Sequence, residues 1–435
     1  MVPKRIATAI MNSLKGGVVP RVGLGYIAVG REKEIDALLK DIDIIEDGGA
    51  TFRFVVGRYG SGKSFLLQTI RSYAMDRGFV VIDADLSPER RFMGSQKQGL
   101  ATYRELMKNM STKTKPDGGA LSLILEKWIY GIQAEVMRQN DISSDDPRLS
   151  KEVEIKIFET VSELKDLVHG FDFAKVLSVY WHAYRDGNEE KKSNVLRWFR
   201  GEYQTKTEAK NDIGVNVIIT DSDWYDYCKV FASFLVKAGY KGLLFLIDEL
   251  VNIYKLPHAI TRQYNYEKIL TMYNDTLQGK VNYMGIIMAG TPQCIEDTRK
   301  GIYSYEALRS RLESGWIGSG KNSDMLAPII KLEPLSQEET FVLLEKLTAI
   351  HSELYGYESK IRDEDIVNFL KIEFRRVGST TLITPREIIR DFIELLNILY
   401  QNPEKTVSEV LGSNDFEFAS AEEEDVAEEF AEFTL

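Results

Sequence analysis

Residues Gly57 to Ser64 read G-R-Y-G-S-G-K-S, a full match to the spacing G-x-x-x-x-G-K-[ST]. The chemistry of such a run is that of an anion cradle. Gly57, Gly60 and Gly62 let the backbone turn tightly enough for its N–H groups to face a phosphate, and the helix expected to follow adds its positive N-terminal end. Lys63 is placed to neutralise β and γ phosphates during transfer, and the Ser64 hydroxyl to ligate Mg²⁺. Tyr59, Ser61 and Phe65 lie in the same stretch and are expected to line the bound nucleotide. ATP with Mg²⁺ is the ligand pair this pattern implies.

A second element, "LLFLIDEL" (243–250), is an apolar strand ending in two carboxylates. Asp248 is expected to hold Mg²⁺ through water. Glu249 is either one of two acids at an ordinary helix start or a carboxylate that polarises water for in-line attack on the γ phosphate, which turns binding into hydrolysis. The strand "MGIIMAGTP" (284–292) ends at Thr291, whose hydroxyl either bonds the γ phosphate or the attacking water, or caps the turn before Pro292. "YEALRSRLES" (305–314) carries Arg309 and Arg311. The planar fork of Arg311 suits the charge on a transferring phosphoryl group, and the alternative is a solvated helix face. Arg386 follows Pro385 at the start of a helix, where it either reaches back to the phosphates or forms a surface ion pair.

Positioning these groups requires a sheet. Short apolar runs recur at 52–56, 79–83, 243–247, 284–289 and 328–332, most without period-two alternation, as strands buried on both faces of a parallel sheet read. Helical patterns alternate with them, which predicts an α/β fold, a P-loop NTPase parallel-sheet core. One crossover, from about 85 to 243, is far too long, so a mostly helical insertion is expected over 120–221. The core then comprises 23–119 and 222–333, after an N-terminal arm (1–22). Helical patterns at 336–355, 363–374 and 384–400 predict a helical lid over 334–411, and 412–435 is an acidic tail expected to be disordered.

The totals bound the rest. At 435 residues and 44% apolar content the chain can bury a sizeable core. Its net charge is −11, but nine acids and no base fall within 413–435, so the remainder carries only −2. Two cysteines make no disulfide framework and no metal spacing, and no apolar run approaches a membrane span, so a cytoplasmic protein is expected. Ser87 to Lys115 holds seven basic residues against two acidic. Arg90, Arg91 and Lys97 in this stretch either contact double-stranded DNA through its phosphates, without sequence preference, or form a solvated face. "KKSNVLRWFRGEY" (191–203) is a second basic cluster, whose Trp198 and Phe199 either stack on single strands or pack inside the insertion. The tail either solubilises, docks on a partner, or mimics DNA charge.

These elements in this order resemble an ATPase of the AAA+/ASCE type, and "YIAVGREKEIDALLKDI" (26–42) resembles the segment before the P-loop in its replication-initiator branch. The resemblance covers roughly 23–90 and 240–400. It implies that Gly30 and Arg31 lie near the adenine, that Glu249 activates water, that Thr291 and Arg386 act as the two sensors, and that Arg311 is a finger acting in trans within a homo-oligomer. More narrowly, "GRYGSGKSFLLQTIR", "IDADLSPERRF", "ATYRELMKNM" and "GGALSLILEKWI" resemble the ATP-binding proteins of BREX bacteriophage-defence systems, BrxD type. That implies an ATP-driven step on DNA or a DNA-bound partner, alongside other defence-system proteins. The alternatives are an ATP-gated scaffold with slow hydrolysis and a transposition or replication loader. Replication initiators continue after the lid with a winged-helix domain, whereas here about 35 residues, rich in acids, follow the last predicted helix, so origin-type sequence recognition is not expected.

Overall fold

The computed structural model describes residues 2–162, 168–313, 324–376, 384–412, 416 and 418. Strands form at the apolar runs: β1 (Ala50–Gly57), β2 (Val80–Asp85), β3 (Leu243–Asp248), β4 (Met284–Gly290) and β5 (Ile329–Leu332). They make one sheet in the order β2-β3-β4-β1-β5, with β2, β3, β4 and β1 paired in parallel. The register sets Val56 level with Gly290, Ile247 with Met288 and Asp85 with Asp248, so these strands end along one edge. Every residue of β4 and the first five of β3 are buried, which is why neither strand alternates. The one charge inside the β1 run is compensated. Arg53 donates from Nε and Nη2 to the two Asp41 carboxylate oxygens at 2.6 and 2.8 Å, and from Nη1 to the Leu326 and Ala327 carbonyls.

The chain divides into two compact units. One comprises Asp36–Val56 and Ile70–Ile330 and carries the sheet with the helices of the long crossover. Those helices include Leu121–Asn140, Leu149–Ser162, Gly170–Arg185, Glu189–Phe199 and Lys206–Ile213. They share one apolar cluster with the strands. Aromatic rings make the joint: Phe173 lies 5.1 Å from Phe199 and 4.9 Å from Phe231, and Trp128 lies 4.9 Å from Phe234. Phe231 and Phe234 belong to the helix Trp224–Lys237, which leads back to β3. Trp198 and Phe199 are both buried, so packing is their role rather than stacking on a strand.

The other unit comprises Met1–Ile35, Gly57–Thr69 and Lys331–Leu435. It gathers the glycine-rich loop, the first turns of the helix Lys63–Asp76, and the helices Gln337–Tyr355, Asp363–Arg376 and Pro385–Gln401. The N-terminal arm contains a helix, Lys4–Lys15, whose Ile10 and Met11 enter the same core as Leu343, Leu347, Phe369 and Phe392. Capping boxes at Ser336/Glu339, Thr384/Glu387 and Thr406/Glu409 fix three helix starts. Phe416 is buried in this core as well, and the rest of the acidic tail apart from Gly412 and Phe418 lies outside the described residues.

His351 gives this unit a pH dependence. Its ring is buried, with Nδ1 2.8 Å from the Tyr357 hydroxyl and Nε2 3.2 Å from Asn397 Oδ1. Burial holds its pKa below the ordinary 6.5. Below about pH 6.5 the unfolded histidine takes a proton that the folded one resists, so stability present above that pH is lost as pH falls. Melting temperature is expected to drop between pH 7 and pH 5, with a shallower drop in His351→Gln; equal slopes in the two proteins would contradict this.

Candidate functional site

The loop leaves β1 at Gly57 and turns through two left-handed glycines, Gly60 (φ 75°) and Gly62 (φ 87°). A Cβ on Gly60 would stand 2.6 Å from Thr384 Cβ, at the start of the helix Pro385–Gln401, so only glycine lets the loop lie there. A Cβ on Gly57 would stand 2.3 Å from Ser61 Oγ. Gly62 has open space where a side chain would project, as a loop whose backbone must face a ligand requires. Ser61 is 3% exposed, and its Oγ is buried without a hydrogen-bond partner. The Lys63 ammonium bridges the loop, donating to the Gly57 and Arg58 carbonyls at 2.9 and 3.0 Å. Ser64 is exposed beside it, and Phe65, half buried, packs on the apolar core of this unit.

The other nucleotide positions expected in this unit surround the loop. Arg31 is buried and donates from Nη2 to the Ser61 carbonyl at 3.0 Å and to the Glu333 carbonyl at 2.6 Å. It therefore sets the loop's shape from behind. Gly30, left-handed at φ 68°, lies against Glu339, whose carboxylate a Cβ would meet at 2.2 Å. Arg386 is exposed; its Nη1 donates to the Tyr59 hydroxyl at 2.7 Å, and its guanidinium lies 5.3 Å from the centre of the Tyr59 ring. The helix Pro385–Gln401 is thereby tied to the loop tip, a contact that neither residue's local sequence shows.

The acidic positions belong to the sheet-bearing unit. Asp248 ends β3, and its Oδ1 accepts from the Glu249 N–H at 2.8 Å. Glu249 is exposed and left-handed at φ 62°, a conformation that costs a residue with a Cβ about 1–2 kcal/mol. Backbone strain at an exposed carboxylate is a cost that ordinary helix starts do not carry. Asp85, which the sequence reading did not single out, ends β2 level with Asp248. Desolvation of its carboxyl, reinforced by the Asp248 and Asp83 charges, raises its pKa above the usual carboxylate value although the residue has an open side. The available signal was that both strands end in aspartate.

Thr291 stands at the N-cap of the turn Pro292–Glu296, but its hydroxyl makes no capping bond. Arg309 is paired with Glu313 at 3.1 Å along its helix, whereas the Arg311 guanidinium donates to Asn274 Oδ1 at 3.1 Å from an exposed position. In the loop after β2, Arg90 Nε donates to the Asp85 carbonyl at 3.0 Å, and Lys97 Nζ to Gln204 Oε1 at 3.1 Å. Arg91 is half buried with its Nε unpartnered. Asn265 pins this loop by accepting from the Phe92 and Met93 N–H groups. Among the described residues, no group of three or more His, Cys, Asp or Glu side chains could hold a metal. Both cysteines are buried. No helix among the described residues is long and apolar enough to cross a membrane.

An α/β sheet with a glycine-rich loop at the end of one strand and an acidic pair at the end of another is compatible with a P-loop NTPase core. The chain belongs to the family of BREX system ATP-binding proteins BrxC/D, whose model matches residues 2–415. No curated protein matches it.

Proposed function

We propose that this chain is a Mg²⁺-dependent ATPase with an AAA+-type core, acting on DNA or a DNA-bound partner within a BREX defence system. Membership of an ATP-binding family supports the nucleotide, and the open face at Gly62 supports the loop as its seat. The observation that carries hydrolysis is the strained, exposed Glu249. In this reading Lys63 and the loop N–H groups bind the phosphates, and Glu249 accepts the proton of the water that cleaves ATP to ADP and phosphate. The Thr291 hydroxyl, uncommitted to capping, orients that water. Ser64 and Asp248 would hold Mg²⁺; a hydroxyl and a carboxylate suit a hard cation that keeps most of its waters, and the ion when bound neutralises phosphate charge. Arg311 acts on the nucleotide of a second copy, and Arg386 couples the loop to the lid through Tyr59.

The test is the ATPase rate with and without duplex DNA, at about 50 and about 200 mM salt. Stimulation that fades at the higher salt is the expected result. The Arg386–Tyr59 tie favours a second reading, an ATP-gated scaffold in which the nucleotide sets the lid and hydrolysis is slow. A slow rate indifferent to DNA would favour that reading.

A further inference from the structure

The sheet-bearing unit contains a cleft of about 390 Å³, a size at which proteins hold small molecules. None of its lining belongs to the glycine-rich loop. Arg90, Arg104 and Lys108 line it from the first basic stretch and Arg200 from the second, so two clusters far apart in sequence converge on one concavity. Glu105 and Glu202 are the acids of the lining, which leaves four cations against two carboxylates. Glu105 is shared between Arg90 at 3.7 Å and Lys108 at 3.8 Å. Arg200 is paired with Glu202, its Nε 2.8 Å from Oε1 and its Nη2 donating to Oε2 at 3.4 Å. Arg104 has no carboxylate partner among the described residues. Its Nε donates to the Gly201 carbonyl at 2.8 Å, and its Nη2 is buried without a partner. Apolar side chains of Met107, Leu121 and Leu196 complete the wall.

We propose that this cleft is a second anion site that takes the phosphate of a nucleotide group. Two unneutralised positive charges match one phosphate near its dianionic state or two phosphodiesters. Guanidinium forks recognise phosphate oxygens better than a diffuse basic surface does. The apolar wall gives the attached base or sugar a place out of water. Such a group comes either from a free mononucleotide or from a unit of single-stranded nucleic acid.

The experiment uses the full chain carrying Lys63→Ala, so that the glycine-rich loop and the cleft are read separately. Labelled adenosine monophosphate and a labelled single strand of about 12 nucleotides are titrated by fluorescence anisotropy. Saturable binding of at least one probe is expected, competed by inorganic phosphate. If two strand phosphates are held, affinity should weaken about sevenfold between about 50 and about 200 mM salt. Arg104→Ala should weaken binding about tenfold or more. Lys108→Glu, at an exposed position, should do so without changing the melting temperature. Binding of the mononucleotide at least as tight as of the strand assigns the free ligand, and tighter strand binding assigns nucleic acid. Absence of saturable binding by both probes, or binding unchanged in Lys108→Glu and Arg104→Ala alike, overturns the proposal.

Discussion

Glu249→Gln is expected to bind ATP with near-unchanged affinity and to turn it over about 10²–10⁴-fold more slowly, the usual contribution of a positioned general base. Glutamine keeps the shape and the exposed placement but cannot take a proton. The backbone supplies a second handle. Glu249 is held at φ 62° with its N–H given to Asp248 Oδ1, so the carboxylate stands where a relaxed residue would not put it. Glycine relieves that strain. Glu249→Gly should therefore lose turnover as fully as the glutamine variant, while its melting temperature stays level or rises. A carboxylate present only for solubility predicts neither result. Full turnover in Glu249→Gln would remove Glu249 from the chemistry and with it the case for hydrolysis by this pair.

The sequence made the strands legible because their burial on both faces writes itself as unbroken apolar runs, and all five lie where those runs predict. The glycine-rich loop was legible because its demands are local: left-handed backbone at Gly60 and Gly62 and a lysine at fixed spacing. The long crossover announced its helices by periodicity, but not that Phe173 and Trp128 would join the core of the sheet. Such joints depend on which residues meet across a hundred positions, and no local pattern encodes that. The same holds for the N-terminal helix, read as an arm, which shares its core with Phe392 and Phe369. Arg31 was expected beside an adenine from a resemblance, and the structure gives it to the Ser61 and Glu333 carbonyls. Asp85 left a local trace, an aspartate ending a strand as Asp248 does, but its place beside Asp248, like the cleft of Arg104 and Arg200, becomes visible only when strand register or helix packing sets distant charges side by side.

Lys63→Ala is expected to lower ATP affinity about 10²-fold or more. A hydrogen bond to a charged group contributes about 1.5–3 kcal/mol, and this ammonium would serve two phosphates. Lys63 also bonds the Gly57 and Arg58 carbonyls, so lost affinity alone would not separate a missing charge from a collapsed loop. Thermal melting separates them. The loop is held independently by Arg31 on the Ser61 carbonyl and by the packing of Gly60 against Thr384, so the variant without nucleotide should melt close to the parent. ATP at about 100 times the dissociation constant stabilises the parent by about 2.7 kcal/mol, and that gain should shrink to about 0.4 kcal/mol or less in the variant at the same concentration. Lys63→Arg keeps the charge but replaces a compact ammonium with a wider fork, and should recover only part of the affinity. A nucleotide-dependent rise in melting temperature that is undiminished in Lys63→Ala would place ATP somewhere other than this loop.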